Sequence, residues 1–171
     1  DVQVRADFRR IALQAAIDAL PNSKKGSFTP FDAAYYKAQY MGDYAGTLSP
    51  IEHFVQIGAA LGNQPSAVFN PAYYESQYED LQGKGYDAAD LLIHFLRFGL
   101  DEGRAANPEL AAFDGQAYLL KNPDVLAYVT ANLAQFGGSL TNGAIAHYVK
   151  FGAQEGREPA YVGSGVFTLT E

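Results

Sequence analysis

The chain has 171 residues, a net charge of −7 and a pI near 4.9, with 48% hydrophobic and 13% aromatic residues and no cysteine. A chain of this size suits one domain that buries roughly 70% of its unfolded surface, and the composition excludes wholesale disorder. Disulfides and thiolate metal sites are excluded, no basic stripe follows a nucleic-acid backbone, and no run reaches the roughly 18 apolar residues of a membrane span.

Residues 3–20 read as an amphipathic helix, with Val4, Phe8, Ile11, Ala12, Ala15 and Leu20 recurring at helical spacing as the predicted buried face. The polar cluster Pro21-Asn22-Ser23-Lys24-Lys25-Gly26-Ser27 ends it, so 1–27 forms a helix and linker that caps the first repeat, the alternative role being a docking element. Asp1-Val2-Gln3-Val4-Arg5 carries neither an initiator Met nor a signal-peptide pattern and reads as the cut edge of a longer chain.

A unit then occurs three times, over about 28–66, 67–108 and 109–160. Its first block is aromatic and capped: Phe31-Asp32-Ala33-Ala34-Tyr35-Tyr36, Phe69-Asn70-Pro71-Ala72-Tyr73-Tyr74 and Phe113-Asp114-Gly115-Gln116-Ala117-Tyr118. Its second block opens on each of the chain's three histidines, His53, His94 and His147, followed five residues on by Gly58, Gly99 and Gly152 and then by Gly62, Gly103 and Gly156. Phe-to-His separations of 22, 25 and 34 residues place variable loops between two fixed helical blocks.

Asp32, Asn70 and Asp114 are placed to cap the first helix of each unit. Neighbouring side chains on a helix lie about 100° apart, so one tyrosine of each pair packs inward and the other is partly exposed. Ser49-Pro50-Ile51-Glu52 is a capping box that opens the second helix of the first unit. Gly62, Gly103 and Gly156 read as left-handed helix ends, whereas Gly58, Gly99 and Gly152 fall inside the helix at a cost of about 1 kcal/mol against Ala. That recurrent cost implies close approach by a neighbouring ring or backbone. After residue 160, 161–171 reads as a linker with a β-prone strand over 166–170 that begins a following domain.

A rare residue that returns with its neighbours belongs to architecture before chemistry. The histidines are read as neutral and hydrogen-bonded within the structure, with no metal, because each sits in a separate unit with a loop of different length. Asp87 and Asp90 at a helix start, and Asp101-Glu102 on a last turn, have ordinary capping and solvation roles. Asn122-Pro123-Asp124 reads as a turn or helix stop. No nucleophile elbow, phosphate-cradling loop or zinc-protease motif is present, so no catalytic residue is assigned. The candidate ligand-binding residues are Tyr35, Tyr36, Tyr73, Tyr74 and Tyr118, whose rings suit the C–H faces of sugars, with Arg104 and Arg157 just after the capping glycines. The competing reading makes the tyrosines packing between units.

These blocks, with Asn122-Pro123-Asp124-Val125 and Phe151-Gly152-Ala153-Gln154-Glu155-Gly156-Arg157, resemble a repeat of large bacterial secreted and cell-surface proteins: RTX-type calcium-binding, adhesin-like or surface-layer polypeptides exported by type I secretion. Related repeats accompany some bacterial glycosyltransferases. The resemblance spans about residues 28–160 and is weaker in the first unit, where Leu61 and Asn63 stand for Glu and Arg. It implies an extracellular module that tethers a surface-layer protein to envelope glycan such as lipopolysaccharide, with calcium bound elsewhere in the parent protein and no cofactor in this chain.

The expected fold is all-α: a short array of three helix-pair repeats, about six or seven helices, with an N-terminal capping helix and a strand-like C-terminal tail. The expected function is non-enzymatic anchoring or adhesion through glycan binding or self-association. The alternatives are an accessory glycan-binding module of a secreted or carbohydrate-active enzyme, and a spacer without ligand.

Overall fold

The computed structural model describes residues 1–20 and 29–163, and over them the chain is all-α, with nine α-helices, no strand and two isolated bridges, Ser66 with Phe69 and Phe113 with Tyr161. The turn cluster at 21–27 and the strand expected over 166–170 lie outside the described residues. The helices are α1 (Val2–Asp18), α2 (Ala33–Tyr40), α3 (Pro50–His53), α4 (Pro71–Gln77), α5 (Ala88–His94), α6 (Pro108–Ala111), α7 (Gly115–Lys121), α8 (Pro123–Ala131) and α9 (Leu140–His147). Two more helices form than the spacing implies. Pro108 starts the four-residue α6, and Pro123 starts α8, so Asn122-Pro123-Asp124 both stops α7 and begins its successor.

The expected caps form. Asp32, Asn70 and Asp114 accept the backbone N–H of Tyr35, Tyr73 and Ala117 at 2.9, 2.9 and 3.0 Å. Ser49 with Glu52, and Asp87 with Asp90, make reciprocal capping boxes for α3 and α5. The N–H groups of Asp32, Asn70 and Asp114 meanwhile donate to the carbonyls of Pro65, Ala106 and Ala160 at 3.0, 3.0 and 2.7 Å. The beginning of each segment is thereby tied to its own end.

The helices that carry the histidines do not run on as α-helix. Phe54–Gly58, Phe95–Gly99 and Tyr148–Gly152 widen into π-helical turns, closed by Ala59, Leu100 and Ala153 N–H bonds to Phe54, Phe95 and Tyr148 carbonyls at 2.7, 2.8 and 2.9 Å. Gly62, Gly103 and Gly156 then turn left-handed at φ +76°, +68° and +74°. The next N–H, from Asn63, Arg104 or Arg157, returns to the carbonyl of Gly58, Gly99 or Gly152 and completes a Schellman end.

Most of the core joins α1 to α5 with their π-helical turns: Leu13, Tyr36, Phe54, Phe69, Tyr74, Leu92 and Phe95 are all buried there. A second cluster over α7–α9 gathers Tyr118, Val125, Val129, Phe136 and Ala144. Each large side chain so buried stabilises the fold by about 1.5–3 kcal/mol. The face of α1 differs from the predicted one. Leu13 is its fully buried residue, with Ile17 and Leu20 packed beside it, whereas Val4, Phe8 and Ile11 are 50%, 70% and 56% exposed. Arg9 adds a polar contact to this packing, reaching Asp87 and, at 3.4 Å, Asp90 at the start of α5.

Candidate functional site

Each histidine is bound by the tyrosine that closes the first block of its own segment. Tyr36, Tyr74 and Tyr118 hydroxyls meet Nδ1 of His53, His94 and His147 at 3.0, 2.8 and 3.0 Å, across sequence gaps of 17, 20 and 29 residues. Asn63 Nδ2 also donates to the Tyr36 hydroxyl at 3.3 Å. That contact takes one lone pair of the hydroxyl, whose proton and second lone pair both remain able to serve the bond to His53 Nδ1.

The inner glycine is the third member of the group. A Cβ on Gly58, Gly99 or Gly152 would stand 1.9, 2.2 or 2.2 Å from the Tyr36, Tyr74 or Tyr118 hydroxyl oxygen. The missing side chain is the notch that admits the phenol, which explains a glycine inside a helix. Burial pushes the pKa of all three imidazoles down and of all three phenols up, so both partners are neutral near pH 7.

This geometry corrects the assignment of Tyr36, Tyr74 and Tyr118 to a ligand surface: all three are 0% exposed, with rings packed in the core and hydroxyls committed to histidine. Their neighbours Tyr35 and Tyr73 are the half-exposed members of the pairs, and the corresponding position in the third segment is Ala117. Tyr35 donates its hydroxyl to Gln64 Oε1 at 3.2 Å.

Arg104 and Arg157 also turn to the chain itself. Arg104 forks onto Asp80 at 2.9 and 2.8 Å, reaches Glu102 at 2.6 Å and lies 4.5 Å over the Tyr78 ring. Arg157 forks onto Asp124 at 3.0 and 2.6 Å, and reaches Glu155 at 2.6 Å and Asn122 at 2.8 Å. Hydrogen bonding to the guanidinium holds Asp80 and Asp124 below the usual carboxylate range. In the first segment both partners change together: Asn63 replaces the arginine and Gly42 stands where Asp80 and Asp124 do, six residues after the buried tyrosine. The expectation that these arginines contact a ligand is therefore replaced by an internal latch.

Among the described residues no three His, Asp or Glu side chains gather as a metal site. Asp87 and Asp90 are taken up by the cap and by Arg9, with burial raising Asp90, while Asp101 pairs with Lys150.

A groove of about 430 Å³ runs between α4 and the start of α9. Tyr73, Gln77, Tyr78, Gln116, Thr141 and Asn142 line it together with the apolar Leu110, Phe113 and Ile145. Its width depends on glycine. A Cβ on Gly103 would stand 2.7 Å from Asn142 Cα, and one on Gly115 3.1 Å from Thr141 Cα, so α9 approaches closely at both points. The Tyr78 hydroxyl accepts the Ala105 N–H at 2.7 Å, which ties two lining residues together. Among the described residues one acid, Asp114, and no lysine or arginine line the groove. Sequence reading found Tyr73 but not Gln77, Gln116, Thr141 or Asn142, because three separate segments bring them together. Comparison with known proteins finds no matching family, no similar curated protein and no similar solved structure.

Proposed function

We propose that the chain is a non-catalytic anchoring or adhesion module of a bacterial cell-surface protein, built of three helical repeats and binding envelope glycan, the uncharged sugars of a lipopolysaccharide among the candidates. The observation that carries this reading is the groove beside Tyr73: a half-buried aromatic ring lines a space of about 430 Å³ together with amide and hydroxyl side chains. The ring stacks on the C–H face of a pyranose, while Gln77, Gln116, Thr141 and Asn142 exchange hydrogen bonds with its hydroxyls. With no cation among the described lining residues, the groove favours a neutral sugar over a phosphate or uronate. The repeat reading draws on the Tyr–His–Gly group and the closing hydrogen bond, which recur in all three segments.

The test is co-sedimentation with Gram-negative cells and with purified lipopolysaccharide, followed by titration of neutral oligosaccharides. Wild type binds, and Tyr73→Ala and Asn142→Ala each weaken binding at least about tenfold, equivalent to about 1.4 kcal/mol, without changing the melting temperature by more than a few degrees. Absence of binding to any glycan, or binding untouched by both substitutions, would leave a spacer as the better account.

A further inference from the structure

The outer pole of α1 is used by neither the core nor the groove. Val4, Phe8 and Ile11 are 50%, 70% and 56% exposed there, and Ala15 is exposed with them. Their steps of four, three and four residues are those of a coiled-coil seam. At 100° per residue they fall within an arc of about 60°, while Leu13, which faces the body, lies about 170° from the centre of that arc. Arg5 flanks the arc on one side and Asp7 and Asp18 on the other, so the pole is an apolar stripe with a charged rim.

We propose that this pole docks a second copy of the chain, α1 against α1 and antiparallel. A two-fold axis between residues 9 and 10 sets Phe8 on the partner's Ile11 and Val4 on the partner's Ala15. The stripe reads the same from either end, as an isologous contact requires, and the helix dipoles oppose favourably. The 17-residue helix is about 25 Å long. Pairing along that length buries roughly 1,200 Å² with its rim, the lower end for a stable complex, so the dimer is concentration-dependent. An anionic bilayer suits the pole less well, because the chain carries −7 and two of the rim charges are acidic. This inference stands apart from the glycan reading and does not depend on it.

Size-exclusion chromatography with light scattering on the full chain, from about 5 to 500 µM, tests it. The mass rises from 18.5 kDa toward twice that value, and Phe8→Asp holds it at 18.5 kDa with an unchanged circular dichroism spectrum. Because the chain has no cysteine, orientation is read by oxidative cross-linking: Val4→Cys with Ala15→Cys gives a covalent dimer, and Ala15→Cys alone does not. A monomer at the highest concentration, or a Phe8→Asp protein that still dimerises, overturns the proposal. So does a monomer that binds phosphatidylcholine vesicles through Phe8. Efficient cross-linking of Ala15→Cys alone overturns the antiparallel arrangement.

Discussion

Placing a methyl group on Gly152 tests the central group of the fold directly. An added Cβ would lie 2.2 Å from the Tyr118 hydroxyl oxygen but 3.3 Å from the ring carbon that bears it, so the clash belongs to the hydroxyl. Overpacking costs about 1–3 kcal/mol and the displaced bond to His147 about 0.5–1.5 kcal/mol, against about 1 kcal/mol gained from the helix propensity of Ala. Gly152→Ala is therefore expected to destabilise by about 2 kcal/mol. Tyr118→Phe alone costs about 1–2 kcal/mol, because it leaves Nδ1 of buried His147 without a partner. Once the hydroxyl is gone the methyl finds room, so the double variant is no worse than Tyr118→Phe, and the cycle shows a coupling of about 2 kcal/mol. Urea unfolding followed at 222 nm measures each corner at constant m-value. A Gly152→Ala protein as stable as wild type, or a cycle that sums without coupling, would refute the notch as the reason for the glycine.

Three further outcomes rest on the same geometry. Burial lowers the folded-state pKa of His53, His94 and His147 below the unfolded value of about 6.5, so the unfolded chain binds more protons once the pH drops toward that value. The stability this contributes is fully present above pH 6.5 and is lost as the pH falls through the folded values; Asp90, raised by burial, is the acid acting the other way. Melting temperatures between pH 8 and about 5.5 should decline, and a flat or rising profile would contradict neutral buried imidazoles. On α1, Leu13→Ala should cost about 2–5 kcal/mol and Phe8→Ala less than about 0.5 kcal/mol, a ranking that thermal melts of dilute monomer check and that reverses if the sequence-predicted face is the buried one. Arg9→Ala leaves Asp87 and Asp90 without their cation, and amide exchange of α1 should quicken by about tenfold while that of α9 is unchanged.

Much of the local structure was legible because it is written in short-range chemistry. Asp32, Asn70, Asp114 and Ser49 cap as their positions imply, and Gly62, Gly103 and Gly156 take the left-handed turn that only residues without a Cβ adopt cheaply. The cost at Gly58, Gly99 and Gly152 correctly pointed to a close neighbour; that the neighbour is a phenol reaching histidine is a tertiary fact. Periodicity misled on α1. Its buried face is small and mixed, with Leu13 flanked by alanines and by Arg9, so the outward Val4-Phe8-Ile11 stripe gave the stronger signal. Tyrosine pairs told that one ring packs, but not which, and the groove depends on Asn142 and Thr141, brought beside Tyr73 by the approach of α9 to Gly103 and Gly115.

The stretch between each buried tyrosine and its histidine is held at both margins and carries neither member of the pair. It already differs among the three segments, from a bare turn to one holding α8 and the 3₁₀ turn Leu133–Phe136. Residues Gln82 to Tyr86 in the middle segment are exposed and turn through Gly83 and Gly85 at φ +70°. Exposed chain between two fixed margins is where insertions are best tolerated, so the window around Gly83–Gly85 is the natural graft point for a foreign epitope.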